Sequence, residues 1–92
     1  MRALPSTPGF LIIDKIYTAK ELLRDGRTLH EEGRHTSAKN AFEMALECLS
    51  RADDYLKMTA NLPSRNIDQQ EITRLRRELL SGIRNIPDQD KD

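Results

Sequence analysis

Apolar residues recur along this chain at steps of three and four, in three blocks set apart by glycine and proline. In the first block Ile12, Ile16, Ala19, Leu23, Gly26 and Leu29 fall on one helical face, and Ile13, Tyr17 and Leu22 widen it. Most of the charges between Lys15 and Arg27 fall elsewhere. Two starts compete. Thr7 before Pro8 fits a cap followed by proline at the first helical position, and Thr18 with Glu21 has capping-box spacing. The early start is preferred because the stripe already runs through Ile12 and Ile16. Gly33 supplies the stop.

The second block carries two adjacent stripes. Ala38, Phe42, Ala45, Leu49, Ala52 and Leu56 form one; Ala41, Met44, Cys48 and Tyr55 form the other. A helix with two apolar stripes packs on two neighbours at once, which makes it the middle of three. Its alanines permit close approach of the first helix, and Gly26 helps the same contact. Thr36 or Ser37 is the expected cap. In the third block Asp68 and Glu71 suggest a capped start, Ile72, Leu75, Leu79, Gly82 or Ile83, and Ile86 make the buried stripe, and Pro87 ends it. Leu80 lies off that line.

The pattern therefore predicts an all-α fold, a three-helix antiparallel up-down-up bundle over residues 11–86, with helices at about 12–32, 37–59 and 68–86. Residues 1–10 are expected to be a flexible N-terminal segment, 60–67 a loop and 87–92 a flexible tail. No stretch sustains the strict alternation of a strand.

Composition narrows the function. In 92 residues, 15 basic and 15 acidic side chains cancel, so there is no global charge to draw nucleic acid or an anionic membrane. DNA is not an expected partner. So short a chain has a thin core with little room for a deep active-site pocket. There is no phosphate-binding glycine loop, no nucleophile elbow and no paired catalytic carboxylates, so no enzyme activity and no cofactor are expected. Cys48 is the single cysteine and sits on an apolar stripe, as an inert core residue does. His30 and His35 lie five apart with Gly33 between them, which does not suit a metal pair on one helix. The longest apolar run, Phe10 to Ile13, is far too short to span a membrane, and the expected location is cytoplasmic.

Two resemblances rest on particular residues. Gly26, Gly33, Ala38, Phe42, Ala45 and Leu46 are spaced as in the helical hairpin of a tetratricopeptide repeat, though no second copy follows at a repeat period. Over about residues 13–86 the chain also resembles the MIT (microtubule interacting and trafficking) domain. The middle helix with Ala38, Phe42, Ala45, Leu46, Leu49 and Ala52 is similar to the family's second helix, and Arg77-Glu78-Leu79-Leu80 with Ile83 and Ile86 to its third. Arg84 stands where that family commonly has an acidic residue. The resemblance implies a peptide-binding adaptor, recruited to endosomal membranes, whose groove between helices two and three takes an amphipathic motif from the tails of ESCRT filament proteins. By matched position Leu80 is the groove anchor, Met44, Cys48 and Tyr55 line the facing wall, Arg77 is counted with the peptide-binding residues, and a groove made basic at Arg84 asks for an acidic residue at the facing position of the partner.

Two other readings stay open. A single tetratricopeptide-like unit would self-associate or scaffold, so the chain is expected to be a monomer or a weak homodimer. Alternatively Arg74, Arg76, Arg77 and Arg84 bind RNA or phosphate, or else form a solvated face paired with Glu71, Glu78 and the acidic line Glu43, Glu47 and Asp54.

Overall fold

The computed structural model describes residues 8–58 and 65–87 and consists of three helices, α1 (Pro8–Glu31), α2 (His35–Met58) and α3 (Arg65–Arg84). Among the described residues there is no strand. Thr7 and residues 59–64 and 88–92, on which one proposed cap, most of the loop and most of the tail were placed, lie outside the described residues.

Helix α1 opens at Pro8, the earlier of the two candidate starts. Residues 8–10, expected to be a flexible segment, are helical. Thr18, the rival cap, sits mid-helix, where its hydroxyl donates to the Asp14 carbonyl at 3.0 Å. That back-bond to i−4 satisfies the side chain without ending the helix.

The turn after α1 closes on Gly33, whose φ of 84° is the left-handed conformation that glycine adopts without a side-chain clash. The Gly33 N–H donates to the His30 carbonyl at 3.0 Å and the Arg34 N–H to the Leu29 carbonyl at 2.9 Å. These two bonds are the Schellman pairing, and they satisfy carbonyls that the helix end leaves bare. Helix α2 follows at once, with the Ala38 N–H on the Arg34 carbonyl at 3.0 Å. It starts at His35, ahead of both Thr36 and Ser37, because the Arg34 carbonyl already accepts the first helical bond and Arg34 takes the cap position.

Helix α3 also starts early. It begins at Arg65, so Asp68 lies inside its first turn, buried, and is not the residue that opens the helix. The backbone leaves the helix after Arg84, and Ile86, beyond its end, still folds back into the core ahead of Pro87.

The core is built from the expected stripes. Ile12, Ile16, Ala19 and Leu23 of α1 meet Ala38, Phe42, Ala45, Leu49, Ala52 and Leu56 of α2, and Ile72, Leu75, Leu79 and Ile86 close over them. Ile13 and Tyr17 do not widen the buried face of α1; they are 60% and 62% exposed. The ring of Phe42 occupies the place where all three helices converge. A Cβ built on Gly26 of α1 would overlap its Cε1 and lie 2.6 Å from Cδ1, and one built on Gly82 of α3 would lie 2.9 Å from Cε2. Two glycines thus clamp one aromatic ring, and the absent side chains set how closely the helices approach.

Candidate functional site

Ion pairs bridge α1 and α3 and show how the two lie together. Lys20 Nζ is 2.6 Å from Glu71 Oε2, and Arg27 is 3.0 Å from Glu78 Oε1. A seven-residue step along α1 matches a seven-residue step along α3, so the two run parallel with α2 antiparallel between their directions. The up-down-up arrangement follows. Arg74 bonds to Glu71 at 2.8 Å and to Glu78 at 2.9 Å. Lys20, Glu71, Arg74, Glu78 and Arg27 therefore form one alternating belt across the α1–α3 seam.

The Lys20 hydrogen bond and charge, with Arg74 adding to them, hold the Glu71 carboxyl below its ordinary value of 4.5, against an opposing effect of burial. A carboxyl whose folded value is depressed adds stability above the unfolded value and loses it as pH falls through the folded one. Glu71→Gln should therefore lower the urea midpoint at pH 7, and its gap to wild type should narrow as pH falls below the ordinary carboxylate value. A gap that stays equal as pH falls would mean that the charge of Glu71 contributes nothing to the seam.

The same pairs show which flank of each helix meets which neighbour. On α1, Lys20 and Arg27 lie on the α3 side of the buried stripe, and the half-buried Leu22 and Leu29 lie on the other, toward α2. On α3, Glu71 and Glu78 turn to α1, which leaves Leu80 and the half-buried Ile83 on the α2 side. Helix α2 runs the other way. The right-handed turn of its residues therefore sets Ala41, Cys48 and Tyr55 toward α1 and Leu46 and Asp53 toward α3.

The six residues expected to line one groove between α2 and α3 therefore separate. Cys48 and Tyr55 are half-buried against the core on the α1 side of α2, and Met44, exposed, lies beside them. Leu80, 47% exposed, and Arg84, exposed, lie on the α2 side of α3. Arg77 lines a cavity between α1 and α3. Helical periodicity gave α2 two stripes but not which neighbour each would meet. That depends on the side of the α1–α2 hairpin on which α3 settles.

The α1–α3 seam holds two depressions, one on either side of the ion belt. The upper, about 330 Å³, is lined by Ile13, Ile16 and Tyr17 of α1 and Ile67 of α3 and reaches the belt at Lys20 and Glu71. Ile13, Tyr17 and Ile67 are all exposed, and Ile13 and Tyr17, four apart, stack on one helix face. The lower, about 520 Å³, has Leu23 and Phe42 in its floor, Arg27 and His30 on the α1 wall, and Arg77, Ser81 and Asn85 on the α3 wall. Periodicity along α1 does not mark this seam by itself, although Ile13 and Tyr17 lie at the edge of the α1 stripe rather than on it.

The four arginines of α3 do not present a single cationic face. Arg74 is engaged by Glu71 and Glu78, and Arg76 is half-buried. The partners of Arg74 come from its own helix rather than from the α2 acidic line, in which Glu47 pairs with Arg51. His30 and His35 approach each other across the turn, Nδ1 to Nδ1 at 3.2 Å, and one ring donates to the other. Among the described residues no group of three metal-ligating side chains comes together, and no helix is long and apolar enough to cross a membrane.

No family model, no curated protein and no solved structure matches this chain. The MIT and tetratricopeptide resemblances stand on the residues quoted for them.

Proposed function

We propose that this chain is a non-catalytic protein-interaction domain that docks a short peptide in the seam between α1 and α3. The observation that carries the reading is the upper depression, where Ile13, Tyr17 and Ile67 expose apolar surface around one cavity. Contiguous exposed apolar surface on a small domain marks a partner site more often than scattered apolar residues do. The parallel rims of α1 and α3 add a groove for a short segment to lie along. The resemblance to the MIT family supports the same class of function and extends it to endosomal sorting, with tails of ESCRT filament proteins as partners. It favours the α2–α3 groove around Leu80, whereas the exposed apolar cluster favours the α1–α3 seam.

Mutation separates the two grooves. Peptides enriched on the wild-type chain from a random library, measured by fluorescence anisotropy, should bind Tyr17→Ser roughly 30-fold more weakly, the effect of removing a hot-spot aromatic worth about 2 kcal/mol. Leu80→Asp should bind them within about twofold of wild type, as a substitution outside the contact does. Both side chains are exposed, so circular dichroism should show unchanged helix in each variant. Loss on Leu80→Asp with Tyr17→Ser unaffected would move the site to the α2–α3 groove.

A further inference from the structure

The lower depression says what kind of peptide the seam selects, and this inference rests on the docking reading above. Arg77 and Ser81 of α3 and Asn85, the first residue past its end, stand four residues apart and all three line this cavity. Residues at that spacing stack one above another on a helix face. Their side chains form no ion pair or side-chain hydrogen bond among the described residues. The other cations along the seam differ: Lys20, Arg27 and Arg74 are each held by Glu71 or Glu78. Glu78 is in turn occupied on both oxygens, by Arg27 and Arg74. On the α3 wall, then, the charge left unmatched is positive, and it belongs to Arg77. Glu31 sits on the opposite, α1 rim of the same cavity.

We infer that the lower cavity is the specificity site of the seam, and that it takes an acidic residue of the bound peptide against Arg77 with an apolar neighbour seated over Phe42 and Leu23. The guanidinium offers a planar, paired set of donors that matches a carboxylate. Ser81 and Asn85 continue the row of polar groups and are placed to bond the peptide main chain. Glu31 disfavours a carboxylate on the α1 rim, which gives the acidic residue one side of the cavity. Tyr17 and His30 are thirteen residues apart, about 20 Å along α1 at 1.5 Å per residue. A segment of about six extended residues covers that span. It can set an apolar side chain on Ile13, Tyr17 and Ile67 at one end and the acidic residue at the other.

The test is charge reversal. The random library is selected in parallel on the wild-type chain and on Arg77→Glu, with Tyr17→Ser as the control for the seam. Wild type should enrich peptides that combine an apolar residue with Asp or Glu, and changing that acid to its amide should weaken binding about tenfold, as loss of a charge-assisted pair does. Arg77→Glu should lose the acidic peptides and enrich peptides with Lys or Arg at the same position. Peptides that need Tyr17 yet bind wild type and Arg77→Glu alike would overturn this inference and leave the docking reading standing. Enrichment of no peptide, or of peptides indifferent to Tyr17→Ser, would overturn both.

Discussion

Phe42→Ala is expected to unfold the domain or leave it barely folded. Truncating a buried aromatic costs about 3–5 kcal/mol, through lost transfer energy and the void left behind. Here the void cannot close easily, because the ring lies between Gly26 and Gly82 and neither neighbour has a side chain to swing into the gap. At about 0.05–0.15 kcal/mol per residue, a packed body of about 75 residues has a stability of about 4–11 kcal/mol, so this one substitution removes a large part of it. Leu29→Ala, at a half-buried position at the margin of the core, should cost much less. Urea denaturation followed by circular dichroism measures both. A Phe42→Ala midpoint as high as that of Leu29→Ala would show that the ring does not hold the three helices together.

Gly26→Ala is expected to destabilise the domain even though alanine is the better helix former. In an open helix the exchange gains about 1 kcal/mol. At this position the new Cβ meets the Phe42 ring, and forcing a methyl into a packed core costs about 1–3 kcal/mol. The ring cannot retreat freely, because Gly82 and the rest of α3 lie on its far side. The difference is a net destabilisation of up to about 2 kcal/mol. The cause can be isolated by a second change: Phe42→Leu costs stability alone but should make Gly26→Ala less harmful, with a coupling of about 0.5–3 kcal/mol between the contacting sites. Strict additivity in the double mutant would mean that the clamp is not what penalises the methyl.

The sequence made some levels of this structure legible and not others. The buried stripes were readable because each records one helix burying one face, as Ile12, Ile16, Ala19 and Leu23 or Ile72, Leu75 and Leu79 do. Gly33 was readable because few other residues accept its conformation. Helix starts were less so. Asp68 has the chemistry of a cap and still lies within the first turn of α3, and α2 begins on the backbone of the turn before Thr36 and Ser37 are reached. The site was the least legible part. Met44, Cys48 and Tyr55 share one flank of α2 and Leu80 lies off the buried line of α3, as expected, but grouping them into one groove required knowing on which flank of the α1–α2 hairpin α3 lies. Periodicity within one helix does not contain that. Contacts far apart in sequence, such as Lys20 to Glu71 and Arg27 to Glu78, reveal it. Ile13 and Tyr17, read as extra core, instead became exposed apolar surface once α3 settled beside α1.

We propose that this domain meets its partner in the α1–α3 seam. An NMR titration of the isotope-labelled chain with a library-selected peptide tests it most directly, because backbone amide shifts report the contacted surface without any substitution. The largest shifts should track both rims of the seam, from Ile13, Tyr17 and Ile67 down to Arg77, Ser81 and Asn85, with those of Leu80, Arg84 and Leu46 small. Shifts concentrated on Leu80, Arg84 and Leu46, with Tyr17 and Ile67 unmoved, would contradict it.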